Sequence, residues 1–209
     1  MNTLRLILLL VFIPLFSFQS SGKKVTSSST ALSVLFVGNS LTYSNNLPEL
    51  VKKEAAIKGV TLHYKTLALP NYALIDHWNQ GTLQKEIKSK AYQWVVVQQG
   101  PSSQPYGREV LMEYGTKIDA LCKENKAQLA FFMVWPSLAH YQTFEGVITN
   151  YTDAATHTDA LLLPVGKYWK AHFDETQNFD YYAEDGFHPS EKGSQAAAKI
   201  IVNHLLNLN

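Results

Sequence analysis

The chain holds a single cysteine, Cys122, in 209 residues, so no internal disulfide can form and the fold has to rest on its core. It also lacks any excess of charge, since 18 Lys and Arg against 17 Asp and Glu leave a net +1. That balance gives no electrostatic footprint for nucleic acid or for an anionic membrane surface. The first strand-like segment has no glycine-rich phosphate loop behind it, which removes the fingerprint of a nucleotide-binding sheet. His63, His140, His157 and His172 show no zinc-ligand spacing, and one cysteine makes a poor metal site, so no metal or other cofactor is expected. There is no internal repeat, and the only low-complexity tract is a short Ser-rich stretch.

A hydrophobic share of 46% with 17% charged residues describes one ordinary globular domain, here residues 31–209. The amino terminus reads differently. Arg5 precedes an apolar stretch from Leu6 to Phe16, and Ser17, Ser20 and Ser21 follow it. The stretch is short against the ~20 apolar residues of a membrane span. Residues 1–21 therefore read as a secretory signal peptide and residues 22–30 as a flexible Ser-rich leader. The expectation is an exported protein, periplasmic or secreted, with no stable membrane insertion once the signal is removed. No cysteine lies beside the cleavage region, which argues against a lipoprotein anchor.

The rest of the chain alternates strand-like and helix-like segments, the pattern of a parallel sheet covered by helices. Leu32 to Val37 is nearly all apolar and suits a central strand buried on both faces. Leu47 to Lys58 carries apolar residues at helical spacing, with Asn46 as cap, Pro48 in the first turn and Gly59 as the stop. A second strand is expected over Val60 to Leu69, helix over part of Leu74 to Lys90, and a third strand at Trp94 to Val97. Helix from about Arg108 to Glu124, strand from Leu129 to Trp135, helix from Phe144 to Thr158 and strand from Leu161 to Val165 follow. Cys122 falls among the apolar positions of its helix and is expected to pack as a small apolar residue. Ser190 caps a last helix whose Ala197, Ile201 and Leu205 share one face.

Five strands interleaved with helices predict an α/β fold, a three-layer α/β/α domain on a five-stranded parallel sheet. Such sheets bind ligands outside the carboxyl ends of their strands. Gly38-Asn39-Ser40, Pro70-Asn71, Gln98-Gln99-Gly100 and Trp135-Pro136-Ser137 all fall at those ends.

Ser40 follows the first strand directly, and a serine hydroxyl becomes a useful nucleophile only when a base removes its proton. Near the other end, Asp185-Gly186-Phe187-His188-Pro189 sets a carboxylate three residues before an imidazole. His188 can be the base if its ring reaches Ser40, while Asp185 can hold the other ring nitrogen and stabilise the imidazolium. A helical turn opening at Leu41 would aim backbone N–H groups at the developing oxyanion. A lone serine after a strand is usually a turn or cap residue, and Asp-Gly before His-Pro can be a plain turn. Both together, in this order around an α/β pattern, point to a nucleophilic triad.

With these blocks the chain resembles the SGNH (GDSL-like) hydrolase superfamily. Gly38-Asn39-Ser40-Leu41-Thr42 matches its first block, in the variant with Asn before the nucleophile, and Asp185, His188 and Pro189 match its last. The resemblance implies a flavodoxin-like sandwich with Ser40 as nucleophile, His188 as general base and then acid, and Asp185 as its orienter. It also implies an oxyanion hole in which a glycine after strand two and an asparagine after strand three join the Ser40 N–H. Both are missing: Leu69-Pro70-Asn71-Tyr72 and Gln98-Gln99-Gly100-Pro101-Ser102-Ser103 stand in their places. A side-chain amide carries two N–H groups, so Asn71 with Gln98 or Gln99 are the expected replacements. Gln99 is favoured as nearer the loop, and Ser102 is a further candidate.

Among other polar residues, His77 reads as a surface helix histidine and Arg108 as a surface residue at a helix start. Trp135 reads either as a stacking wall for a sugar ring or as cover for the sheet edge. The expected function is an exported serine esterase, without cofactor, that removes acetyl or other short acyl groups from a small-molecule or glycan ester. A lipid or short-chain esterase, a sugar O-acetyltransferase with the same triad, and a non-catalytic glycan-binding protein on the same fold are the alternatives. The sequence does not speak to oligomeric state.

Overall fold

A computed structural model of the chain describes residues 31–207, and the expected signal peptide and leader lie outside them. Val34 to Val37 are completely buried, as a strand with sheet neighbours on both edges and helices on both faces requires. They belong to β1 (Ala31–Gly38), which pairs in parallel with β2 (Thr61–Ala68) on one side and β3 (Trp94–Val97) on the other. Val97 pairs with both Val37 and Phe131, which carries the ladder into β4 (Gln128–Phe132). Phe132 in turn pairs with Leu163 of β5 (Leu161–Leu163). The order is β2-β1-β3-β4-β5, all parallel. It reverses between β1 and β3, so the carboxyl ends of those two strands open the crevice where sheets of this kind bind ligands.

The helices of the described residues are α1 (Ser40–Tyr43), α2 (Leu47–Ile57), α3 (Leu74–Gln80), α4 (Thr82–Ser89), α5 (Pro105–Glu124), α6 (Phe144–Thr158), α7 (Val165–Thr176) and α8 (Glu191–Leu205). α2 packs on α8, whereas α5 packs on α3 and α6. The chain steps outward from β1 to β2 in one direction and from β3 to β5 in the other. Right-handed crossovers then place the two helix groups on opposite faces, giving the three layers. Cys122 is fully buried on the inner face of α5, and burial pushes its thiol up to about 12, so it serves as packing.

Several local expectations are corrected. Asn46 makes no capping bond; it and Asn45 both adopt left-handed backbone (φ 54 and 51) to turn the chain from α1 into α2. The helix expected over part of residues 74–90 is present, as two helices on either side of Gly81 at φ 78. β4 stops at Phe132: the next N–H, of Met133, donates to Leu163 O, and Met133 O then receives Gly166 N. The chain there folds onto the start of α7, so close that a Cβ on Gly166 would collide with Val134 O. β5 stops at Leu163 because Pro164 offers no N–H to the ladder and α7 begins at Val165. Neither α7 nor the 3₁₀ turn Leu138–Thr143 was anticipated.

Candidate active site

The site is built from the carboxyl ends of β1 and β3 on one side and from the loop before α8 on the other. β1 runs into Gly38 and Asn39, and α1 opens at Ser40. Asn39 fixes this turn with both ends of its amide: Oδ1 accepts from Leu41 N at 3.1 Å, and Nδ2 donates to Tyr72 O at 3.0 Å. Asn39 N donates to Gln98 Oε1 at 2.9 Å, and Thr42 Oγ1 donates to the same oxygen at 2.9 Å. A Cβ on Gly38 would collide with both Thr42 Oγ1 and Gln98 Oε1, so only glycine fits between them. The Ser40 N–H, in the first turn of a helix, has no carbonyl partner within that helix.

His188 and Asp185 come from a tight loop between α7 and α8 in which Gly186 takes φ 65. Asp185 Oδ1 accepts from the backbone N–H groups of Phe187 and His188, each at 2.9 Å, which fixes the carboxylate by a local Asx turn. Its Oδ2 lies 2.6 Å from His188 Nδ1, and His188 Nε2 lies 2.9 Å from Ser40 Oγ. The hydrogen bond from His188, followed by those from the backbone, holds the Asp185 carboxyl below its ordinary 3.8. An ionised carboxylate can only accept, so Nδ1 carries the proton. Nε2 then presents a lone pair to the serine O–H, the arrangement that general-base activation needs.

Three bonds anchor that loop to the segment after β4. Trp135 Nε1 donates to Phe187 O at 3.0 Å, Leu138 N to Gly186 O at 2.7 Å, and Tyr182 OH to Pro136 O at 2.8 Å. Trp135 is fully buried and stacks on Trp169 with centroids 3.6 Å apart. Full burial excludes the sugar-stacking wall; Trp135 is the floor under the histidine loop. Asn45 closes the assembly by donating Nδ2 to Pro189 O at 2.8 Å and Ser194 Oγ at 3.0 Å. The segment that follows the serine is thereby tied directly to the segment that follows the histidine.

The polar residues suggested for the oxyanion hole separate on inspection. Gln98 is buried, and its Nε2 donates to Gln99 O at 2.6 Å while Oε1 holds the serine turn. It braces the serine turn from beneath, 1% exposed. Gln99 Oε1 accepts from Leu74 N at 2.8 Å, and its Nε2 bonds no group of the described residues. Asn71 is exposed, in left-handed backbone at φ 61, and its side chain makes no hydrogen bond among the described residues. Ser102 turns its hydroxyl onto Gly100 O at 2.8 Å, so it is spent within its own loop.

His77 is not a surface residue. It is 3% exposed, and its Nε2 donates to Gly38 O at 2.8 Å, directly beneath the serine turn. Burial lowers the pKa of its imidazole. Arg108 bonds Asn150 and Asp153, joining α5 to α6. The roles of Asn45, Gln98 and His77 as supports were missed. Only the Asn45-Asn46 pair carried a sequence signal, since asparagine enters left-handed backbone more readily than most residues.

No protein-family model matches the chain, and neither does any curated protein. Solved structures do. A protein from Slackia heliotrinireducens, assigned provisionally to the SGNH hydrolases, superposes with a TM-score of 0.73 at 23% identity, over 84% of this chain and 100% of that one. The chain has the SGNH hydrolase fold. A lipase/acylhydrolase from Enterococcus faecalis matches at a TM-score of 0.69 and 14% identity, over 85% of this chain and 96% of its own. An acetylxylan esterase from Geobacillus stearothermophilus matches at 0.64 and 14%, over 85% and 95%. Within this SGNH fold, the bonded Ser40, His188 and Asp185 occupy the loops after the first strand and before the last helix.

Proposed function

We propose that the protein is a serine esterase that works through an acyl-enzyme on Ser40. The observation that carries this reading is the pair of hydrogen bonds, 2.9 Å and 2.6 Å, that runs from Ser40 Oγ through His188 to Asp185. Ser40 Oγ attacks the ester carbonyl as His188 Nε2 takes its proton, and Asp185 stabilises the resulting imidazolium. The carbonyl oxygen becomes an oxyanion. The Ser40 N–H, the unengaged Nε2 of Gln99 and the Asn71 amide are the donors assigned to it. His188 then protonates the departing alcohol oxygen, the C–O bond breaks, and the acyl group stays on Ser40. Water, deprotonated by His188, attacks that ester and releases the acid while the proton returns to Ser40.

Short acyl groups on a glycan are the substrate class assigned, and residues 1–21 would deliver the enzyme out of the cytoplasm. An acetylxylan esterase among the structures of similar fold supports the substrate class. The test is release of p-nitrophenol from p-nitrophenyl acetate by protein lacking residues 1–30. Ser40→Ala is expected to remove turnover, and equal rates in the two proteins would take Ser40 out of the mechanism.

A further inference from the structure

Beside the triad lies a cleft of about 470 Å³, a size that takes a small organic ligand. One wall is Phe187, whose ring packs edge-on against the His188 ring with centroids 5.2 Å apart. Pro101 and Pro136 give the other apolar surfaces. Between them stand Ser103, Gln104, Ser137, His140 and Thr143. No Asp, Glu, Lys or Arg lines the cleft. His140 Nδ1 is bonded to Ser137 Oγ at 2.9 Å, while its Nε2 and the Gln104 amide have no partner among the described residues.

Flat apolar surfaces set between neutral donors and acceptors match a pyranose ring, which has C–H faces and hydroxyl edges. An alkyl chain there would desolvate Ser103 Oγ, the Gln104 amide and His140 Nε2 without pairing them, which is costly. A phosphate or carboxylate would meet no fixed cation. The chemistry also gives the cleft a side. His188 Nε2 hands its proton to the alcohol oxygen as the ester C–O bond breaks, so the alcohol half must lie against His188 while the acyl half stays on Ser40. The wall formed by Phe187 packs against that same imidazole, with ring centroids 5.2 Å apart.

We propose that this cleft is the subsite for the leaving alcohol, and that the alcohol is a neutral sugar unit of a glycan. His140 Nε2 and the Gln104 amide hold its hydroxyls, and the prolines and Phe187 cover its faces. The assignment rests on the esterase reading above. It also gives the sugar a second effect: Leu138 N, within the turn that carries Ser137 and His140, donates to Gly186 O of the histidine loop. A ring seated in the cleft therefore braces the loop that positions His188.

The test compares wild type, Gln104→Trp and His140→Ala on an acetylated disaccharide, p-nitrophenyl acetate and p-nitrophenyl butyrate. Nitrophenolate leaves without needing a proton or a sugar site. In Gln104→Trp, whose indole would fill the cleft, the kcat/KM ratio of disaccharide ester to p-nitrophenyl acetate is expected to fall about tenfold or more. In His140→Ala the same ratio should fall roughly threefold to tenfold, the loss of one hydrogen bond. The butyrate-to-acetate ratio should keep its wild-type value in both. A drop in the butyrate ratio with the disaccharide ratio intact would make the cleft an acyl pocket and overturn the proposal. Unchanged ratios in variants that melt at the wild-type temperature would overturn it as well. Wild-type protein inert on all three esters would overturn the esterase reading itself.

Discussion

Around Ser40 the backbone is fixed by buried polar side chains from two other segments, whereas around His188 it is fixed by its own Asx turn over an aromatic floor. Gln98 and His77, the supports of the serine turn, are 1% and 3% exposed. The side chains of Asp185 and His188 are 51% and 38% exposed. Buried hydrogen bonds are costly to break because a lone donor or acceptor stays desolvated, so damage near the serine should register as lost stability. Damage in the histidine loop leaves groups that water can satisfy, and it should register as lost rate. The Ser40 turn is set by the whole fold, and His188 by a loop that can be perturbed by itself.

The sharpest way to break that contrast is His188→Ala. Turnover of p-nitrophenyl acetate should fall by about 10³-fold or more with little change in melting temperature. A large loss of stability would show the loop to be part of the core. Asp185→Asn should follow with a fall of roughly 10²–10⁴-fold in kcat, since an amide no longer fixes the tautomer. Gln98→Leu addresses the other side. It leaves Asn39 N–H and Thr42 Oγ1 without their acceptor and should cost about 2–4 kcal/mol in urea unfolding. Unfolding at the wild-type midpoint would remove Gln98 from the support of the turn.

Trp135→Phe keeps an aromatic ring on Trp169 but strands Phe187 O; about 1–2 kcal/mol of stability is expected to go. Calorimetry would measure it. The smallest effect belongs to pH. Burial holds the His77 pKa below its ordinary 6.5, so the unfolded chain binds the proton more readily than the folded one. Its contribution is complete above 6.5 and is lost as pH falls below that value. His77→Gln should flatten the rise of unfolding free energy between about pH 5 and pH 7, and an unchanged slope would count against a buried neutral imidazole.

The sheet could be read from the sequence because strands buried on both faces must be almost wholly apolar, as Val34 to Val37 and Trp94 to Val97 are. Ser40 stood out because its turn ends such a run, and Asp185 with His188 because a carboxylate three residues before an imidazole stands just ahead of a capped helix. α7 escaped although Val165, Trp169 and Phe173 recur every fourth residue; it opens behind Pro164 without a polar cap, and its start was absorbed into the preceding strand. The bracing of Ser40 was not legible either. Gln98, His77 and Asn45 reach their partners across 59, 39 and 144 positions, and no local pattern encodes such distances. A buried amide and a surface amide look alike in one sequence, so Gln98 was grouped with Gln99 until their partners were known.

The clasp from Asn45 to Pro189 and Ser194 has a further consequence for when in its life the molecule can act. A nascent or clipped polypeptide that ends before residue 188 would hold an inert hydroxyl, however well its sheet had formed. Competence would arrive only once residues 188–194 are in place, so ester cleavage would double as an assay for copies intact through the histidine loop.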